Sequence, residues 1–334
     1  MNWQDHWAQH DALNRRAFLS FATNGLGAVA AAGLVSNTLG ASDARAHFIP
    51  KAKRVVHVVM CGGFSQVDSF DYKPSLERNH GKSLQAAERP DVFFGKVGLL
   101  RKNDWAFKQR GQSGLWVSDL FPHLAGVADE LCVVRSMFAE TSNHTPATFQ
   151  ENTGFRLNGF PVMGSWISYG LGAQTDNLPA FVTLPDTRSV PAGGSINWTN
   201  GFLPARHQGV TIRVEGTPID DLQPAQPIGP ETDRATRSVL AALNARHLRA
   251  RAGEDVLAAR LKSHELAACM QLAVPEVATL EAESAATRSL YGLGNGPTND
   301  FGRACLMTRR LLERGVRFVQ LFSGGAFGSP RINW

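Results

Sequence analysis

Four short runs constrain this chain more than any other feature: residues 54–60, 131–134, 180–184 and 316–322, each nearly continuous in Val, Leu, Phe or other apolar residues. They do not alternate apolar with polar, so they are not strands with one wet face. They are too short for helices. Such runs suit strands buried on both faces, which is the position of strands in a parallel sheet. Between them lie segments with helical spacing. Residues 119–130 carry Leu120, Leu124 and Val127, with Asp119 placed to cap the first turn. Residues 163–171, 231 to about 272, and 300–313 follow the same period, the last closed by Gly315. Strands alternating with helices predict an α/β fold: a mainly parallel sheet flanked by helices. Residues 64–118 read as irregular, and the Pro- and Gly-rich residues 187–230 read as surface loops.

Sheets of this kind bind ligands at the carboxyl ends of their strands. In this chain that edge carries the segment after Met60, the segment after Val134, the segment after Leu184, and Ser323 onward. The first of these runs Cys61-Gly62-Gly63-Phe64-Ser65-Gln66-Val67-Asp68-Ser69-Phe70-Asp71. The paired glycines allow a tight turn and a close approach of a ligand to the backbone. Asp68 and Asp71 are oxygen donors suited to a hard cation. They equally suit a capped turn and an Asx-turn before Lys73-Pro74. The second segment offers Arg135, Ser136, Thr141, Ser142, Asn143, His144 and Thr145. Asn143 and His144 are possible metal ligands, and a hydroxyl activated by a metal would be a nucleophile at neutral pH. The alternative is a polar loop that His144 caps.

The amino terminus reads as an address. Arg15 and Arg16 stand just ahead of an uncharged stretch from Phe21 to Ala41, and Ala44 and Ala46 form a small-x-small site. That order marks a signal peptide, and the arginine pair marks the twin-arginine type. The apolar stretch, at about 20 residues, is long enough for a membrane anchor, but Thr23, Asn24, Gly25, Gly27, Gly33, Ser36, Asn37 and Thr38 dilute it. The expectation is cleavage after Ala46, the twin-arginine translocase as a partner, a periplasmic or otherwise exported product, and no transmembrane anchor afterwards. Residues 47–334 remain, enough for one large domain or two small ones.

Composition narrows the function. The net charge is +5, and removing residues 1–46 leaves it unchanged, because Arg15, Arg16 and Arg45 balance Asp5, Asp11 and Asp43. The basic residues are scattered, with one modest cluster at 246–251, so no nucleic-acid role is expected. The four cysteines, Cys61, Cys132, Cys269 and Cys305, form no C-x-x-C pair. That argues against iron–sulfur and zinc-ribbon sites. Cys61 and Cys132 sit in strand-like runs and read as small core residues.

Taken together, the segments 62–74, 135–147 and 164–172 resemble the bacterial exported proteins grouped as domain of unknown function family 1501. The matching patterns are Gly62-Gly63-x-Ser65 through Asp68, Phe70-Asp71 and Lys73-Pro74; Arg135-Ser136-Met137 with Asn143-His144 and Ala147; and Gly164-Ser165-Trp166 with Tyr169-Gly170-Leu171-Gly172. The resemblance places the chain near the sulfatase and alkaline phosphatase superfamily. It implies a metal-dependent hydrolase of sulfate or phosphate esters, with the ligands of the divalent metal (Ca, Mg, Mn or Zn) drawn from Asp68, Asp71, Asn143 and His144. Thr145 or Ser136 would be the nucleophile, and Arg135 with Ser65 would bind the anionic ester substrate. The alternative is a non-catalytic binding or assembly protein that keeps the fold. Two departures matter. The superfamily's first strand normally ends in a metal-binding aspartate, whereas here Cys61-Gly62-Gly63 stands in that place. The family also continues past the last strand into W-D-x-H and G-E-F-G-R-T-P elements. The chain is therefore expected to be a sulfatase-like α/β domain over 47–334, incomplete at its C-terminus and inactive by itself, with a helical insertion at about 231–272.

Overall fold

The computed structural model describes residues 51–63, 65–84, 97–220, 222, 228–251 and 255–325. The stretch read as an export signal, with Arg15, Arg16, Ala44 and Ala46, lies outside the described residues. No described helix is long and apolar enough to cross a membrane.

The fold is α/β. Its main sheet has four strands in the order β1-β6-β4-β5, where β1 is Val55–Met60, β4 Phe181–Leu184, β5 Val210–Thr211 and β6 Phe318–Ser323. All neighbouring pairs are parallel, as the continuous apolar runs predict. A separate antiparallel hairpin joins β2 (Phe107–Arg110) to β3 (Leu115–Ser118).

One face of the sheet packs on two helices, α6 (Asp255–Ala278) and α8 (Asn299–Glu313). Leu306, Met307 and Leu311 of α8 meet Val182, Leu184, Val319 and Leu321 in the same buried cluster as Met270, Val274 and Val277 of α6. The start of α8 carries Asp300 and its last turn Arg310, matching the helix dipole. It ends as the sequence predicts: Gly315, at φ +92°, donates to the Leu312 carbonyl while Val316 donates to that of Leu311. This paired bonding satisfies the last carbonyls, and the left-handed turn it needs favours glycine.

The other face is covered by α3 (His144–Thr153), α4 (Met163–Leu171) and the short turn Gly194–Trp198. There Phe181, Phe318 and Phe322 pack with Val162, Trp198, Val59 and Cys61. A buried amide chain fixes α3 over the sheet. Gln320 Nε2 donates to Asn152 Oδ1 at 2.7 Å, and Asn152 Nδ2 donates to Asn197 Oδ1 at 3.1 Å. Buried amides hold position only while they are bonded, so this chain sets where α3 sits.

Several expectations change. Residues 131–134 join no strand ladder among the described residues, and Cys132 is exposed, not a core residue. The helix expected over 119–130 shrinks to α2 (Pro122–Ala125) and a 3₁₀ turn at Ala128–Glu130. Pro122 at the first helical position sets its start and Gly126 its end, so Asp119 is not the cap. Asp119 instead pairs with Arg110 at 3.0 Å. Residues 64–118 are not wholly irregular: besides the hairpin they contain α1 (Pro74–Arg78). The long helix expected from 231 is two, α5 (Pro230–Ala250) and α6, with α5 capped at Arg251. α7 (Ala285–Leu290) precedes α8.

Candidate functional site

Because every strand of the main sheet points the same way, their carboxyl ends lie on one edge. At the end of β1, Cys61 still donates to the Ser323 carbonyl at 2.9 Å, and then Gly62 and Gly63 take φ +88° and +70°. Two successive left-handed residues turn the chain sharply off the sheet, which explains the double glycine. The turn leads into a 3₁₀ segment, Gln66–Asp68, preceded by Ser65. The Ser65 carbonyl accepts from Ser69 Oγ at 2.9 Å, with Ser69 fully buried. Asp68 is half-buried. Asp71 lies between two cations, 2.8 Å from Lys73 and 3.7 Å from Arg135.

The Asp71–Arg135 pair joins the two segments picked out in the sequence. Arg135 and Ser136 are exposed on the approach to α3. Asn143 is the N-cap of α3, its side chain accepting from the Thr145 N–H at 3.2 Å. His144 is thus the first helical residue, not the cap, and Thr145 the second. The first turn of α3 faces Gly62 and Gly63 across a concavity of about 510 Å³, lined by Thr141, Ser142, His144 and Thr148 as well. Glu151, seven residues after His144 and so on the same helix face, closes it. Its Oε1 is 2.7 Å from His57 Nε2.

A second concavity, about 560 Å³, opens on the other side of the β6 end. It contains a residue the sequence reading did not single out, Asp186. Asp186 Oδ1 accepts from the Arg188 N–H at 2.9 Å and from Arg188 Nε at 2.8 Å. Its Oδ2 accepts from Arg188 Nη2 at 2.6 Å and from the Gly324 N–H at 2.7 Å. Burial pushes this carboxyl up, but the bonds from Arg188 and Gly324 outweigh it and hold it below the usual range. Thr187 Oγ1 donates to Asp300 Oδ2 at 3.1 Å, so the loop after β4 is also tied to the start of α8. The signal for Asp186 was its place two residues after a buried strand, on the edge where ligands bind.

What this edge can do follows from how its groups are engaged. Burial, with Asp186 and Glu151 adding negative charge nearby, pushes the Cys61 thiol up to about 11, so it stays protonated and is a poor nucleophile. Among the described residues no three of His, Cys, Asp and Glu lie together closely enough to hold a metal ion. Asp71 is neutralised by Lys73 and Arg135, and the Asn143 oxygen is occupied by the cap. The described donors alone therefore do not fit a divalent cation. Beside the carboxylates of Glu151, Asp186 and Asp300, the edge offers Arg188, hydroxyl and backbone N–H groups, and these last suit an anion.

No curated protein and no solved structure matches the chain. One family profile does, that of the protein of unknown function DUF1501, over residues 52–334. A match across so much of the sequence, with the motif segments inside it, is decisive: the chain belongs to the DUF1501 family.

Proposed function

We propose that this protein is exported through the twin-arginine route, has a sulfatase- or alkaline-phosphatase-like fold, and acts on sulfate or phosphate esters at the carboxyl edge of its sheet. The observation that carries this reading is the convergence there of segments far apart in sequence. The Gly62-Gly63 turn, the start of α3 with Thr141, Ser142 and His144, and the Asp186–Arg188 loop flank adjoining strand ends. Arg188 lies in the last of these segments and Arg135 is paired to the first through Asp71, and a developing anion would be stabilised by such groups. Ser136 and Thr145 remain the candidate nucleophiles. A divalent cation, when bound, would polarise the ester oxygen and lower the pKa of an attacking hydroxyl. The described residues do not by themselves supply its ligand set.

One observation favours a second reading, in which the ester is bound and not turned over. Both carboxylates called on for a metal from the first segment lie near cations or within a turn, and Asp71 is fully paired. Turnover of 4-nitrophenyl sulfate and phosphate by the full chain, alone and with Ca²⁺, Mg²⁺, Mn²⁺ or Zn²⁺, separates the two. Turnover that falls at least about a hundredfold in His144→Ala supports the hydrolase. Binding of inorganic sulfate or phosphate without turnover supports the second reading, and neither binding nor turnover rejects both. For the export step, Arg15→Lys with Arg16→Lys should retain the protein in the cytoplasm.

A further inference from the structure

The motif Gly164 to Gly172 is not absorbed by the carboxyl edge. Part of it is structural: a Cβ on Gly164 would sit 2.7 Å from the Phe181 ring, and Ser165 Oγ donates to the Thr199 carbonyl at 3.0 Å. Ser168 is different. It opens onto a cavity of about 680 Å³ at the amino ends of β4 and β5, on the opposite edge of the sheet. We propose that this cavity is a second binding site, for an organic monoanion with an apolar body, namely a medium-chain or aromatic carboxylate.

The cavity has an apolar floor and a cationic rim. Leu178, Phe181 and Met270, all buried, form the floor. Lys262 and Leu266 come from one face of α6, four residues apart, with Met270 the next turn on. A volume of this size matches that of sites for small organic ligands, which range over roughly 300–1,000 Å³.

The charge argument rests on His207. Arg206 Nε donates to His207 Nε2 at 3.0 Å, and a guanidinium can only donate. His207 Nε2 must therefore carry the lone pair, and the ring proton must be on Nδ1, 3.0 Å from Ser168 Oγ. The Ser168 oxygen accepts that proton's bond, so this buried Ser–His pair is not a nucleophile with its base. Its effect is to anchor Arg206 on a neutral ring in place of a carboxylate. Among the described residues neither Arg206 nor Lys262 has an ion-pair partner, whereas Arg188, Arg213 and Arg310 each have one. Asp176 also lines the cavity, leaving two cations against one carboxylate. One more negative charge balances the rim, and an apolar tail covers the floor.

Calorimetric titration of the full chain with octanoate at pH 7.5 tests this, with octan-1-ol as the uncharged probe of the same length. The expected result is saturable one-to-one octanoate binding, with octan-1-ol bound at least about tenfold more weakly. Arg206→Gln and Lys262→Gln should each weaken octanoate about tenfold, the second without changing the melting temperature, since the Lys262 side chain is on the surface. Absence of saturable octanoate binding overturns the proposal. Equal binding of the alcohol, or octanoate affinity unchanged in Lys262→Gln, also overturns it. The ester reading concerns the other edge and stands or falls separately.

Discussion

Asp186→Asn is the sharpest perturbation the carboxyl edge offers. The wild-type carboxylate accepts from Arg188 at both oxygens and from the Gly324 N–H, and its side chain is only 9% exposed. The amide keeps one acceptor oxygen and turns the other position into a donor facing donors. If the oxygen stays on the Arg188 N–H side, Gly324 and Arg188 Nη2 lose their acceptor. Hydrogen bonds to charged groups contribute about 1.5–3 kcal/mol each, and an orphaned buried N–H costs a similar amount. Arg188 is 39% exposed, so water recovers much of its share. The net expectation is about 2–3 kcal/mol of lost stability at pH 7. Urea unfolding followed by far-UV circular dichroism measures it, provided the denaturant slope is unchanged.

The pH dependence adds a second check. The folded-state pKa of Asp186 is below its unfolded value, so its contribution is complete above about pH 4 and is lost as pH falls through the folded value. The gap between wild type and Asp186→Asn should be equal at pH 7 and pH 5 and should narrow only below that. A loss under about 0.5 kcal/mol, or a gap that already closes between pH 7 and 5, would refute the argument.

Two further outcomes follow from the packing. Gly302→Ala should destabilise the protein by at least about 2 kcal/mol in the same unfolding assay, because the new Cβ would lie 1.9 Å from the Tyr291 carbonyl oxygen, and an unchanged midpoint would show that α8 can shift aside. His207 is pushed down by burial first and by Arg206 second. The neutral ring's contribution is full above the unfolded value of about 6.5 and is lost as pH falls below it. The melting temperature of wild type should therefore drop more between pH 7 and 5 than that of His207→Gln, and equal drops would place the titration elsewhere.

Three strands of the main sheet were legible as runs of Val, Phe and Leu without alternation; β4 and β6 are buried on both faces, whereas Val56 and Val58 leave one face of β1 exposed. Residues 131–134 carry a similar mark and are not a strand. A strand exists through a partner, and the run records only a propensity, whereas the ladder beside β1 is made by β6. The hairpin was missed for the converse reason. Its strands mix Lys, Gln and Arg with aromatics, and they are held by Tyr72 stacking on Phe107 and packing against Trp116, contacts between distant residues. Gly111 and Gly114, both at positive φ, bracket its loop and were the available signal. α3 was not read as a helix either, although Asn143 followed three residues later by Pro146, a capping residue and a proline in the first turn, marks its start. Asp186 stood in view at a strand end, but its partner Gly324 lies 138 residues away. Side chains that meet only through the sheet leave no local spacing to read.

The strand order has a consequence for how the protein is made. β6 lies between β1 and β4 and hydrogen-bonds to both, yet it comes last in sequence among the four described strands. While the chain is being synthesised, at roughly 5–20 residues per second, β1 and β4 wait with their inner edges unpaired until β6 leaves the ribosome. Closing so long a loop is slow, and unpaired strand edges invite other chains in the meantime. A chaperone that holds the nascent sheet open would be needed for longest by this chain's first strand. For a protein proposed to cross its membrane already folded, departure cannot begin before β6 has docked.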